Sequence, residues 1–173
     1  MRQRTILVTA TASTMGDSYC SLSWGQKLSS AANPDLAASV LAGTDADLTP
    51  AEHAFAAWAR RVASDPNAIT ESDLDGLRDA GYDDPKILAI TLFISLRIAF
   101  STVNDALGAL PDRALHDAVP PQVRDVVRGA GRRRSRARRP RQMSDPSTST
   151  TLSGGVHQVA PTSAADPILS VPV

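Results

Sequence analysis

Apolar side chains recur three and four residues apart through most of the first 128 positions, and the sharpest case begins at Thr49-Pro50. Thr49 is a helix cap, Glu52 completes a capping box, and Phe55, Trp58, Ala59 and Val62 share one face, opposite a polar face with Arg60 and Arg61. Upstream the pattern is less decided. Ile6, Leu7, Val8 and Ala10, interleaved with threonines, suit a strand by composition. Gly16 breaks that run, and Asp17 or Ser18 can cap a helix holding Tyr19 and Cys20 in its first turn and continuing through Leu28. Asn33-Pro34 opens a short helix with Leu36, Val40 and Leu41, closed by Gly43.

Downstream, Asp65-Pro66-Asn67 forms a turn, and Thr70 with Asp73 starts a helix bearing Leu74 and Leu77 that Gly81 stops. From Pro85 to about Leu107 the chain is apolar nearly all round, which predicts a helix enclosed by others or by a second subunit, and hence a homo-oligomer. Its most apolar stretch, Ile87 to Phe100, is short for a bilayer and contains Arg97, so it reads as a buried core helix and the protein as not membrane-spanning. Val123, Val126 and Val127 are the last periodic residues. Together these elements define an all-α domain over residues 1–128.

Beyond Gly129 the composition changes to Arg132 through Arg141, then Ser, Thr, Gly and Pro without periodicity, the signature of a disordered tail over 129–173. Three origins fit it: a solvated tail, a basic arm, or the product of a shifted GC-rich reading frame. The net charge of zero hides an asymmetry. Residues 1–128 carry 11 Lys and Arg against 16 Asp and Glu, a balance of −5; the tail carries 7 against 2, or +5. An acidic domain is a poor nucleic-acid binder, so such binding is left, weakly, to the Arg-rich tail.

Cys20 is the lone cysteine, and His53, His116 and His157 are too few and too scattered to complete a metal site with it. No metal or cofactor is expected, and a reducing, cytoplasmic setting follows from the cysteine usage. The start Met1 to Val8 is too short and too broken by threonine for a secretion signal. His53 falls on the exposed first turn of its helix and Trp58 on the core face, so the two do not form a site. Asn104-Asp105 could line a pocket or cap the apolar helix; capping is the favoured reading.

The segment Thr14-Met15-Gly16-Asp17-Ser18-Tyr19-Cys20-Ser21-Leu22-Ser23-Trp24-Gly25, with Ile6 to Ala10 before it, resembles the signature of the alkyl hydroperoxidase D-like and carboxymuconolactone decarboxylase superfamily. Leu48-Thr49-Pro50-Ala51-Glu52, Ala57-Trp58-Ala59, Asp65-Pro66, Ile69-Thr70, Leu77 to Tyr82 and Phe100 to Gly108 are similar to the helical second half of its peroxidase-related branch. The resemblance covers residues 4 to 127. It implies an all-α domain of five to seven helices, favours helix over strand for residues 5–12, and implies antioxidant peroxidase activity.

In the catalytic branch a glutamate precedes a Cys-x-x-Cys pair, and a histidine follows four residues after the second cysteine. Mapped here, these positions fall near Thr5, on Asp17, on Cys20 and on Trp24, so one of four is kept. Catalysis would rest on Cys20 with Asp17 beside it, and an external dithiol of lipoyl type would have to resolve the sulfenic acid. Met1 also falls late against the family pattern, which implies a copy shortened at its N-terminus. Three readings compete: a thiol peroxidase working through Cys20, a decarboxylase-type lyase with Asp17 as its one nearby acid group, and a catalytically degenerate helical oligomer with a binding or structural role.

Overall fold

The computed structural model describes residues 2–128; the tail expected over 129–173 lies outside the described residues. No strand occurs among the described residues. The chain runs through α1 (Arg2–Met15), α2 (Ser18–Ala31), α3 (Pro34–Ala42), α4 (Pro50–Ser64), a 3₁₀ turn (Pro66–Ala68), α5 (Glu71–Asp79), α6 (Asp84–Ala106) and α7 (Arg113–Ala118). A last helical run, α8, covers 121–128. Its Val123 is fully buried, as the periodicity of the valines requires.

The strand-like composition of residues 5–12 belongs to the central helix. Every residue from Thr5 to Ala12 of α1 is buried, because α2, α3, α4 and α6 all pack around it. Enclosure on all sides removes the need for an amphipathic pattern. Threonine is tolerated there because its hydroxyl can return to the helix backbone: Thr11 Oγ1 donates to the Leu7 carbonyl at 2.9 Å and Thr14 Oγ1 to that of Ala10 at 2.8 Å. Gly16, at φ 74°, then turns the chain into α2.

Caps fix the other boundaries. Asp17 accepts from the Cys20 N–H at the start of α2, Asn33 from Leu36 before Pro34, and Thr49 with Glu52 forms the expected capping box. Gly43, in the left-handed region at φ 77°, closes α3. Gly25 lets three elements meet, since a Cβ there would stand 2.7 Å from Val123 and 2.9 Å from Leu41. The core joins Ile6, Leu7, Leu28, Val40, Phe55, Trp58, Leu77 and Ile94, and the Trp58 indole donates to Thr91 at 3.1 Å.

Two expectations need correction. Arg60 does not lie free on an outer face: its guanidinium binds Asp45 at 2.6 Å, the Val40 carbonyl at 2.7 Å and Ser13 at 3.2 Å, tying α4 to the ends of α1 and α3. Nor is α6 a buried core helix. Only Ile87, Ile94 and Ser101, seven residues apart, are buried against the domain, whereas Leu88, Leu92, Leu96, Phe100 and Val103 are exposed. Its 23 residues match the helix expected from Pro85 to about Leu107, and by length and composition alone it could cross a membrane.

Candidate functional site

Cys20 occupies the first turn of α2, three residues after its cap. The Asp17 carboxylate accepts the Cys20 N–H at 2.9 Å, so Asp17 is committed to starting the helix that carries Cys20. Both side chains are buried, Asp17 at 1% and Cys20 at 2% exposure.

The opposing wall comes from α6. Arg97 Nη2 lies 3.3 Å from the Cys20 sulfur, and Asn104 Nδ2 lies 3.6 Å from it and 3.1 Å from Asp17 Oδ2. Ser101, buried between them in sequence, also hydrogen-bonds the thiol. Residues 97, 101 and 104 are spaced by four and three, which places them on one side of the helix. Four polar groups thus link α2 to α6.

Arg97 is held in place by aromatic faces, with its guanidinium 5.5 Å from the Trp24 ring centre and 4.8 Å from that of Phe100. Trp24, where the resemblance would place a histidine, supplies no proton acceptor but positions a cation. Lys27 Nζ at 4.2 Å and Arg4 at 5.6 Å also approach the same indole, beside a cavity of about 460 Å³ lined by Arg4, Thr5, Trp24 and Lys27. Thr5 is turned back on its own helix and donates to the Arg2 carbonyl at 2.7 Å.

The electrostatics favour the neutral thiol. Burial pushes the Cys20 pKa up, the Asp17 carboxylate adds to the rise, and the Arg97 cation and Ser101 hydrogen bond only partly oppose it, leaving it at about 12. At neutral pH the thiol is therefore protonated.

Cys20 and Asp17 are thus brought together as the motif implied. Arg97 and Ser101 were missed, although one arginine in the otherwise uncharged apolar stretch 87–104 was a signal. Asn104 faces the site and does not cap α6, contrary to the favoured reading. His53 is exposed beside a separate cavity of about 480 Å³ that Trp58, Arg60, Asp73 and Leu77 also line. No group of three metal-ligating side chains occurs among the described residues. No protein-family model matches the chain, and no curated protein matches it.

Proposed function

We propose that the chain is an alkyl hydroperoxidase D-like protein of the carboxymuconolactone decarboxylase superfamily, acting as a slow single-cysteine thiol peroxidase. The observation that carries this reading is the Arg97 guanidinium 3.3 Å from the Cys20 sulfur, a fixed cation beside the single thiol of the chain. In the step it supports, the thiolate attacks one oxygen of a hydroperoxide. The O–O bond breaks, the departing alkoxide takes a proton to become an alcohol, and Cys20 is left as the sulfenic acid. An external dithiol then condenses with it, releasing water, and its second thiol frees Cys20 while closing a disulfide on the donor. Asp17 and Asn104 are positioning residues that fix the turn carrying the thiol.

Peroxide consumption with a lipoyl-type dithiol tests the proposal. Turnover should be slow at pH 7, rise about tenfold per pH unit toward pH 9 as the thiolate fraction grows, and vanish in Cys20→Ser. Activity that survives Cys20→Ser overturns it. The second reading, a catalytically silent helical module, is favoured by the thiol pKa of about 12 and the 2% exposure of Cys20. Absence of turnover across the whole pH range selects it.

A further inference from the structure

The described domain leaves a long apolar surface uncovered. Leu88, Leu92, Leu96 and Phe100 form an unbroken row four residues apart on α6, 61%, 58%, 69% and 49% exposed, and Val103 and Leu107 continue it. Between Ile87 and Asn104 the single charged side chain is Arg97, which is turned toward Cys20. These six residues leave on the order of 700 Å² of apolar surface in water, beyond the largest patch of a typical monomer and near the about 800 Å² each partner gives to a standard interface.

We propose that this face pairs two copies of the chain about a two-fold axis. A row of residues spaced by four is a ridge, and Ser95 and Ala99, both exposed, lie beside it as a groove of small side chains. Two identical helices can therefore interlock ridge into groove at about −50°, each giving and receiving the same contacts. A lipid surface fits less well. The described domain is acidic, and Asp83, Asp84 and Asp105 flank the apolar run; the Arg-rich cluster from Arg132 to Arg141 lies outside the described residues. Insertion of α6 would also strip Ile87, Ile94 and Ser101 from the core they seal.

Pairing has a consequence for the site. Phe100 is half exposed and stacks on Arg97, so a second copy seated on Phe100 closes the outer wall of the Cys20 cluster. This consequence rests on the thiol reading; the pairing does not.

Light scattering and sedimentation of the full chain at micromolar concentration should give twice the 18.2 kDa chain mass. Leu92→Glu with Leu96→Glu should return it to the chain mass with unchanged circular dichroism, since both side chains face solvent in the single copy. Mild oxidation of Leu96→Cys should give a disulfide-linked dimer, and Asp35→Cys, exposed on α3, should not. A monomeric parent, a dimer that survives the double substitution, or equal capture through Asp35→Cys overturns the pairing. So does a monomeric parent that binds phosphatidylcholine vesicles and loses that binding in the double variant. A dimer without peroxide turnover supports the pairing and removes the peroxidase reading; turnover by a clean monomer does the reverse.

Discussion

At Cys20 the local helix and the folded surroundings pull in opposite directions. A thiol in the first turn of a helix gains a little toward ionisation, worth about 0.3–1 kcal/mol, but burial and the Asp17 carboxylate outweigh that and the Arg97 cation together. Two substitutions separate the charges. Asp17→Asn keeps a capping oxygen and removes the anion, so alkylation of Cys20 at pH 8 should accelerate; Arg97→Gln removes the cation and should slow it. Opposite or absent effects in iodoacetamide kinetics would show that burial alone controls the thiol. The same shift bears on stability. Because the folded thiol ionises at about 12 against 9.0 for a free thiol, its contribution is intact below pH 9 and is lost as pH rises toward 12. Chemical denaturation of the parent across that window should show a fall, at most about 1.4 kcal/mol per pH unit, that is absent from Cys20→Ser.

A second residue-scale case is Thr9 in α1, which is fully buried and whose hydroxyl has no hydrogen-bond partner. Its neighbour Thr11 satisfies the same group on the Leu7 carbonyl. Thr9→Val removes an unpaired polar atom at nearly constant shape, so it should stabilise the domain by about 1 kcal/mol, while Thr11→Val should gain less or lose. Urea denaturation of the two variants compares them directly.

Among the elements, α1 and α4 are joined at their N-termini by one carboxylate. Glu52 accepts the Thr49 backbone N–H at 3.1 Å, closing the capping box, and takes Arg2 Nε at 2.6 Å and Nη2 at 3.2 Å. Arg2 holds the Glu52 pKa below its ordinary value, so the stabilisation is present above about pH 4.5 and is lost as pH falls through the lowered folded value. Glu52→Gln should cost about 1–2 kcal/mol at pH 7 and little at the acid end, read by thermal melts at several pH values.

The capping box itself was legible, as were Asp17, Asn33 and the Gly43 stop, because each is written within three or four residues. Its Arg2 partner was not, being fifty positions away. The same distance rule hid Arg60 with Asp45 and Arg97 with Cys20, where burial of a charged side chain depends on which helices meet. For α1 the alternation of apolar residues and threonine pointed to strand, since composition does not reveal a helix enclosed on every side. The polarity of α6 was read correctly and its environment was not: a helix apolar all round implied complete cover, yet the described domain covers one stripe.

At the scale of the whole molecule the charge is divided between two segments. Among the described residues the buried core, with the residues packed against it, extends from Ile6 to Val127, within the acidic 1–128 segment. The positive balance of +5 lies beyond, in a sequence with no apolar period with which to dock on that core. A chain ended after Arg128 should therefore melt within a few degrees of the full chain and keep its subunit number, because the proposed pairing face on α6 is retained. Any affinity of the full chain for a polyanion such as heparin or DNA should disappear in the shortened form. It should also fall steeply with added salt in the parent, as arginine contacts to phosphate or sulfate do, and show no dependence on base sequence. Calorimetry and a salt series on a heparin column would decide the matter. A drop in melting temperature of ten degrees, or retention that persists without residues 129–173, would show that the acidic domain and the basic segment are not energetically separate.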